Sequence, residues 1–197
     1  MTRFVGLTGG IAAGKSEALA AFARLGAATL STDQVTHELL ADPEVQGALI
    51  ERWGEEVASD GEVDRARVAG IVFSDPAELA WLESQLHPRV GKHVLEWRRR
   101  LAPGTKVAVV EVPLLFEAAM EDAFDASVAV IAADQVREGR LRERGQQGLA
   151  GRQGRQLDQD EKAARADHVI RNDGTVEELE RAVAGLIEVI GREEVPG

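Results

Sequence analysis

Short apolar runs alternate with longer amphipathic stretches along this chain, and the alternation predicts its fold class. Five runs rich in β-branched or small apolar residues indicate buried strands, at residues 3–8, 27–31, 106–112, 127–132 and 168–171. The stretches between them carry apolar residues at helical spacing, as does the final stretch 175–190. The sequence therefore predicts an α/β fold, a three-layer sandwich with a five-stranded parallel sheet between helices.

Residues 33–103 interrupt this alternation, because they contain several helix-like stretches and no convincing strand. Asp42-Pro43 and Asp75-Pro76 each place Asp at a helix N-cap and Pro at the first helical position, and Asp60-Gly61 indicates a turn. We expect a helical insertion between the second and third strands of the sheet. A chain of 197 residues is then one domain, with its core at 1–32, 104–136 and 157–197 and the insertion at 33–103.

The segment after the first strand has the spacing of a phosphate-binding loop. It reads Gly-Gly-Ile-Ala-Ala-Gly-Lys-Ser and precedes a helix-like stretch, which is the strand–loop–helix context of the pattern G-x-x-x-x-G-K-[ST]. Lys15 is expected to reach the β- and γ-phosphates and the Ser16 hydroxyl to bind Mg²⁺. A flexible turn is the alternative. The candidate nucleotide-binding residues are Gly9, Gly10, Ile11, Ala12, Ala13, Gly14, Lys15, Ser16 and Glu17.

Two carboxylates follow predicted strands, at the sheet edge where ligands of open parallel sheets bind. Asp33 comes two positions after the second strand and could accept the proton of an attacking hydroxyl; the alternative is an N-cap for a helix that begins near Gln34. Glu111 lies near the end of the third strand and could hold Mg²⁺ or its water; the alternative is a surface carboxylate. The spacing alone leaves both choices open.

A net charge of −11 weighs against nucleic-acid binding, since that affinity depends on clustered Lys and Arg. Positive charge is nevertheless concentrated in 137–155, where six arginines face only Glu138 and Glu143. A basic, glycine-containing segment suits a lid over phosphates, so we expect a lid at about 137–156; a solvated helix is the alternative. The six arginines are Arg137, Arg140, Arg142, Arg144, Arg152 and Arg155.

The remaining composition excludes several classes of function. The chain has no cysteine, so a disulfide framework and a thiolate nucleophile are ruled out, and four histidines without ligand spacing weigh against zinc. His87 precedes Pro88 between two helix-like stretches and is expected at a helix start. No apolar run approaches the ~18 residues of a membrane span. We expect a cytoplasmic protein with no membrane, nucleic-acid or obligatory protein partner.

Several motifs along nearly the whole chain resemble those of the dephospho-coenzyme A kinase family. Pro-Leu-Leu-Phe-Glu at 113–117 and Leu-His-Pro at 86–88 discriminate better than the phosphate-binding loop, which many families share. The other matching segments are Val-Gly-Leu-Thr-Gly-Gly-Ile at 5–11, Ser-Thr-Asp at 31–33, His-Glu-Leu-Leu at 37–40, Asp-Gly-Glu-Val-Asp-Arg at 60–65, Val-Phe at 72–73 and Ala-Asp-His-Val-Ile-Arg-Asn-Asp-Gly at 166–174.

The resemblance implies a nucleoside-monophosphate-kinase-like core that transfers phosphate from ATP, with Mg²⁺, to the ribose 3′-hydroxyl of dephospho-coenzyme A. It implies that Asp33 is the general base, that Lys15 clamps phosphate, and that Arg140 and Arg144 stabilise charge. It adds Arg152 to the ATP-binding residues. It places the acceptor-side residues in one set: Thr8, His87, Pro113, Leu114 and Leu115.

Two departures from the family pattern limit what can be transferred. Ser31-Thr32-Asp33 stands where the family commonly has Asp-Ala-Asp, so a role for the first carboxylate is absent. Ala12 and Ala13 stand where the family often has Gly-Ser, so a contact from that serine hydroxyl is absent too. Two rival functions are another small-molecule or nucleotide kinase on the same core and a regulatory phosphate-loop NTPase; the chain has no Asn-Lys-x-Asp guanine-recognition pattern.

Overall fold

The computed structural model describes residues 1–59, 62–143, 145 and 156–192, with Ser59 described by its backbone alone. The chain divides into two compact units, one formed by Met1–Ser31 with Leu101–Gly197 and the other by Thr32–Arg100. The strands are β1 (Arg3–Gly9), β2 (Ala28–Ser31), β3 (Ala58–Ser59), β4 (Glu62–Val63), β5 (Val107–Glu111), β6 (Ala126–Ile131) and β7 (His168–Arg171). The helices are α1 (Lys15–Arg24), α2 (Thr32–Leu39), α3 (Pro43–Trp53), α4 (Arg65–Ser74), α5 (Pro76–Arg99), α6 (Asp134–Glu143), α7 (Gln159–Arg165) and α8 (Val176–Arg192).

The first unit contains a five-stranded sheet in the order β2-β5-β1-β6-β7, with every neighbouring pair parallel. All five predicted strands are present, with ends shifted by one residue at most, and the α/β fold class is confirmed. The chain runs from β1 through α1 to β2 on one side, and from β6 to β7 on the other side. Because the chain leaves β1 and β6 in opposite directions, the carboxyl edge between these two strands is the position at which such sheets bind ligands.

The two faces of β1 differ, because successive side chains of a strand point to opposite sides. Val5 and Leu7 are fully buried in a cluster with apolar residues of α1 and α8. On the other face a Cβ at Gly6 would lie 3.0 Å from the Phe124 ring and 3.1 Å from Leu115. The glycine therefore lets the segment after β5 pack directly on the central strand.

The second unit consists of α2–α5 around an apolar cluster that includes Val45, Leu49 and Leu82. It also contains a short antiparallel hairpin, in which Ala58 of β3 pairs with Val63 of β4. The expectation that this region holds no strand is therefore wrong. Strands of two residues show no alternation along the sequence, which is why the pattern missed them. The expected turn at Asp60-Gly61 lies outside the described residues.

Two helix starts match the sequence prediction and two differ from it. Asp42 accepts a hydrogen bond from the Glu44 amide at 2.9 Å, and Asp75 accepts one from Ala77 at 2.8 Å, so both N-caps are confirmed. The helix α2 begins at Thr32, which puts Asp33 in its first turn and not at its N-cap.

The helix α5 runs through Pro88, so His87 lies inside a 24-residue helix and not at a helix start. A proline removes one backbone donor from a helix and its ring crowds the carbonyl four residues back, but here Leu82 and Leu86 are buried on the preceding turns. The side chain of Arg89 also donates to the Gln85 carbonyl at 2.7 Å. The packing of a long amphipathic helix thus outweighs the local breaker. Within the described part of the chain, no helix is both long enough and apolar enough to span a membrane.

Candidate active site

The loop of residues 9–16 joins β1 to α1 through backbone conformations that glycine permits. Gly14, the residue before α1, has φ 96° and ψ 33°, and no side chain caps the first turn of the helix. A Cβ at Gly14 would lie 2.1 Å from Nδ2 of Asn172, and a Cβ at Gly9 would lie 2.2 Å from the Val130 carbonyl oxygen. An uncapped helix N-terminus behind such a loop is a site for an anion.

Inside the loop, the Ala13 amide donates to the Gly10 carbonyl at 3.2 Å, and the Gly10 amide donates to Val130 of β6 at 3.3 Å. Ala12 has φ 58°, a left-handed conformation that costs an alanine about 1 kcal/mol. Glycine takes this conformation without strain, which gives a physical reason for the glycine often found there in the family that the chain resembles. The alanine keeps the turn and its backbone donors.

Lys15 and Ser16 occupy the first two positions of α1. The Lys15 ammonium donates to the carbonyls of Gly9 and Gly10, at 3.1 and 3.2 Å, so its charge lies over the first residues of the loop. Ser16 is exposed. Glu17 is also exposed and forms an ion pair with Arg24 at 2.9 Å. The ammonium and the exposed hydroxyl thus both lie at the start of α1, beside the candidate anion site.

Three side chains hold the carbonyls of the loop. Arg137 donates to Ile11 at 3.0 Å. Arg140 donates through Nη1 to Ala12 and Ala13, at 3.3 and 3.1 Å. Nδ2 of Asn172 donates to the Ala13 carbonyl at 2.9 Å.

These contacts determine where the loop amides point. In a planar trans peptide the carbonyl of one residue and the amide of the next point in opposite directions. Donors that hold the carbonyls of Ile11 and Ala13 therefore turn the amides of Ala12 and Gly14 to the opposite side, whereas the Ala13 amide is used inside the loop by the Gly10 carbonyl. Arg140 also donates to the Asn172 backbone carbonyl at 3.0 Å, so the bracing groups are tied to each other.

Residues 167–173 hold β7, at the edge of the sheet, against β6. Oδ2 of Asp167 accepts from the Ser127 amide at 2.8 Å and from its hydroxyl at 2.7 Å. Partial burial acts to raise the pKa of Asp167, but these hydrogen bonds favour the charged carboxylate more strongly and lower the pKa overall. Asp173 accepts from the Ala133 amide at 2.5 Å, which holds the start of α6 beside β7.

The two candidate carboxylates lie in different units. Glu111 is the last residue of β5, is 4% exposed, and pairs in register with Leu7 of β1 and Ser31 of β2. It therefore lies at the carboxyl edge of the sheet, two positions along β1 from the first loop residue. Asp33 follows Ser31 by two residues in the first turn of α2 and is exposed.

The acceptor-side residues named by the resemblance differ in exposure. Thr8 and Leu115 are both fully buried, and the Thr8 hydroxyl donates to the Pro113 carbonyl at 3.1 Å. Pro113 and Leu114 are half-buried, and His87 is exposed in the other unit. Pro113 and Leu114 are thus the more accessible of the three named residues that follow β5, and the Thr8 hydroxyl supports Pro113.

The expected lid is described in part. Its first seven residues, 137–143, belong to the helix α6, which contributes Arg137 and Arg140 to the loop carbonyls. Arg144 and Arg152 lie outside the described residues.

Sequence reasoning missed the roles of Asn172, Lys162 and Glu117. Lys162 is fully buried and forms an ion pair with Glu117 at 2.9 Å, and Asn172 is 5% exposed beneath Gly14. All three lie more than a hundred residues from the loop. The available signals were Glu117, at the end of the matching motif 113–117, and the Asn inside the matching segment 166–174, and no physical role could be given to either from one sequence.

Comparisons with known proteins identify the family of this chain. A model of the family Dephospho-CoA kinase matches residues 3–178. A dephospho-CoA kinase from Streptomyces avermitilis is 38% identical over 200 residues, which cover 98% of this chain and 97% of the relative. Among solved structures, a Thermus thermophilus protein matches with a TM-score of 0.81 and 30% identity over 95% of this chain and 97% of the other.

A dephospho-CoA kinase from Campylobacter jejuni has the same fold, with a TM-score of 0.72 and 24% identity over 98% of each chain. The residues matched by the family model extend from the first strand, through the loop and β5, into the segment that carries Asn172. This chain belongs to the dephospho-CoA kinase family.

Proposed function

We propose that this chain carries out the reaction of its family through the loop of residues 9–16, with Asp33 as the general base. That reaction is the ATP-dependent phosphorylation of the ribose 3′-hydroxyl of dephospho-coenzyme A, which gives coenzyme A and ADP and completes coenzyme A biosynthesis. The observation that carries the proposal is the loop itself, where Lys15 and the uncapped N-terminus of α1 meet in a backbone braced by Arg140 and Asn172. This arrangement suits triphosphate oxygens.

In the transfer, a bond forms between the acceptor 3′-oxygen and the γ-phosphorus, and the bond from that phosphorus to the bridging oxygen of ADP breaks. Asp33 orients the hydroxyl and takes its proton. Two observations support this role: Asp33 is exposed, and it is not used as an N-cap, which removes the main structural alternative for its carboxylate. Lys15 stabilises the negative charge on the transferring group and on ADP.

Arg140 and Arg144 are the proposed charge-stabilising arginines of a lid at about 137–156, and Arg152 is proposed to bind ATP. Arginine suits this task because its planar guanidinium matches phosphate oxygens. Closing the lid would exclude water, which competes with the acceptor hydroxyl. The hydrogen bonds of Arg140 to the loop support its part in this proposal, because they bring a guanidinium from α6 to the phosphate-binding loop.

The residues at the carboxyl edge also fit Mg²⁺. Mg²⁺ prefers oxygen ligands and takes one or two carboxylates beside phosphate oxygens, and Ser16 offers a hydroxyl while Glu111 offers a carboxylate at the end of β5. When bound, the ion neutralises charge on the phosphates. The described residues contain no cluster of three or more His, Cys, Asp or Glu arranged for a metal. A site shared with the nucleotide is therefore the form we propose.

On the acceptor side, Pro113 and Leu114 are proposed to contact dephospho-coenzyme A, with Thr8 and Leu115 holding them from below and His87 contributing from the helical insertion 33–103. The core of this one-domain arrangement is 1–32, 104–136 and 157–197. Because the reaction consumes ATP, we propose the cytoplasm as its compartment.

A coupled ADP-release assay with MgATP tests the proposal. The acceptors are dephospho-coenzyme A, coenzyme A, adenosine, AMP and shikimate, and the product is identified by mass. We expect ADP and coenzyme A with dephospho-coenzyme A and background rates with the others. ADP release with another acceptor would replace the acceptor assignment, and equal ADP release without any acceptor would replace the kinase by an NTPase.

A further inference from the structure

The side chain of Lys162, in α7, is fully buried and makes three polar contacts. Its Nζ donates to the Pro113 carbonyl at 2.6 Å and to the Thr8 hydroxyl at 3.3 Å, and it lies 2.9 Å from Oε1 of Glu117. An ammonium has three protons, so these three acceptors satisfy it completely. We call Thr8, Pro113, Glu117 and Lys162 the lysine cluster.

The lysine cluster joins three parts of the chain that the proposed reaction must align. Thr8 immediately precedes Gly9, the first residue of the phosphate-binding loop. Pro113 belongs to the proposed acceptor-binding segment after β5. Lys162 comes from the helix that follows the proposed lid. One buried charge thus connects the phosphate side, the acceptor side and the exit of the lid.

Glu117 adds a direct tie to that exit. Its Oε1 also accepts from the backbone amide of Leu157 at 2.9 Å, next to the last position of the proposed lid. Its Oε2 is buried and has no hydrogen-bond partner within the described residues. A carboxylate in this setting is costly to bury, since an apolar side chain would pack there without desolvating a charge.

Burying an ion pair is weak evidence for stability, because apolar residues of similar volume often stabilise a protein as well or better. The same helix shows the contrast. Arg165 pairs with Glu121, four residues beyond Glu117, but this pair is partly exposed, with 43% and 30% of the two side chains exposed. Oε2 of Glu121, like that of Glu117, is buried without a hydrogen-bond partner among the described residues. The Arg165 guanidinium also covers the Phe116 ring at 4.8 Å. This pair joins α7 to the segment after β5 without reaching Thr8 or Pro113.

We propose that Lys162 and Glu117 are positioning residues of the kinase, which hold the acceptor-binding backbone at Pro113 and Leu114 in register with the phosphate-binding loop. The inference rests on the proposed function. Lys162 is fully buried and acts through the Pro113 carbonyl. A displacement of about 1 Å between reacting groups can lower turnover about a hundredfold, so a small shift of this segment has a large effect.

The loop itself has separate support. Its carbonyls are held by Arg137, Arg140 and Asn172, none of which belongs to the lysine cluster. Loss of the cluster should therefore impair use of the acceptor more than binding of ATP.

The test compares wild-type enzyme with the double variant Lys162→Met/Glu117→Gln. This variant removes both buried charges together, shortens the lysine side chain by one atom, keeps the length of the glutamate, and retains an oxygen acceptor for the Leu157 amide. The matched control is Arg165→Met, which removes the partly exposed pair from the same helix. Folding is followed by thermal melting, ATP affinity by calorimetry without acceptor, and kcat and KM by varying dephospho-coenzyme A.

We expect the folded double variant to lose about tenfold or more in kcat, with a raised KM for dephospho-coenzyme A and an ATP Kd within about threefold of wild type. Arg165→Met should stay within about twofold in all three quantities. A double variant that folds and keeps kcat and KM within about twofold of wild type would overturn the proposal, as would an equal loss of ATP affinity.

If the double variant does not fold, Glu117→Gln alone carries the same comparison, and a kinetically unchanged Glu117→Gln enzyme overturns the role of Glu117. Failure of the proposed function gives a different result. It would appear in the wild-type acceptor panel, and the variants would then be compared with the acceptor that the panel identifies.

Discussion

Replacing Gly14 with alanine should damage the loop in two ways that can be measured separately. The first is backbone strain, since φ 96° lies in the region that disfavours a Cβ. The second is a collision, since that Cβ would lie 2.1 Å from Nδ2 of Asn172. Asn172 is 5% exposed and donates from the same nitrogen to the Ala13 carbonyl at 2.9 Å. The collision can therefore be relieved only by breaking a buried hydrogen bond.

The magnitudes follow from these two causes. Strain at a positive φ costs about 1–3 kcal/mol, and displacing the buried Asn172 amide from its acceptor costs about 1–3 kcal/mol, while the Ala13 carbonyl keeps its hydrogen bond from Arg140. The free energy of unfolding of Gly14→Ala should thus fall by about 2–6 kcal/mol. Gly26→Ala is the matched control, because Gly26 has φ +87° and a Cβ added there would have no other atom within 4 Å. It should show the strain alone, about 1–3 kcal/mol.

Denaturant unfolding of Gly14→Ala, Asn172→Ala and the double variant separates the two causes. Asn172→Ala already loses the hydrogen bond, so the double variant should lose it only once. The sum of the two single losses should exceed the double loss by about 1–3 kcal/mol. Additivity within about 0.5 kcal/mol, or a Gly14→Ala loss no larger than that of Gly26→Ala, would refute the packing argument. ATP affinity should fall in Gly14→Ala and stay unchanged in Gly26→Ala.

Three further predictions concern the site and its supports. Asp33→Asn should lower kcat by about 10²-fold or more and leave ATP affinity nearly intact. The control Glu38→Gln, on the exposed face of the same helix, should leave both quantities unchanged. Steady-state kinetics measure kcat and calorimetry measures ATP affinity, and near-normal turnover of Asp33→Asn would remove Asp33 as the base. Arg140→Met should lower ATP affinity and kcat together if the brace dominates, whereas a fall in kcat alone would assign the arginine to the transferring phosphate. Asp167 has a lowered pKa, so the extra free energy of unfolding of wild type over Asp167→Asn should be fully present near pH 7. This difference should decline below pH ~4, because protonation of Asp167 breaks the charged hydrogen bonds from Ser127. A difference that does not depend on pH would contradict this prediction.

Most of the sheet could be predicted because strands buried on both faces are continuous apolar runs, and each such run here is bounded by turn or helix signals. The hairpin of β3 and β4 could not, since two-residue strands leave no pattern. Pro88 misled the prediction for a different reason. The sequence rule weighs the breaker locally, whereas the burial of Leu82 and Leu86 along α5 decides whether the helix continues.

The same difference between local and long-range signals applies to the residues of the site. The phosphate-binding loop was visible in the sequence because its glycines, Lys15 and Ser16 are contiguous and their spacing follows from the geometry of one turn into one helix. Lys162 was not visible, because a lysine in a short helix with acidic neighbours has the sequence features of an exposed residue. Its burial depends on Glu117 and on two acceptors from distant segments, which only the folded chain brings together.

The braced carbonyls show why the phosphate-binding loop and α6 are linked. A phosphate-binding loop works only if its amides point toward the anion, and in a trans peptide this requires the carbonyls to point away from it. Carbonyls turned toward protein need donors, because an unpaired buried acceptor costs about 1–3 kcal/mol. Here the donors are Arg137, Arg140 and Asn172, supplied by α6 and by the end of β7. The helix that begins the proposed lid therefore already contributes to the shape of the phosphate site, so a movement of α6 would alter ATP binding as well as access of water.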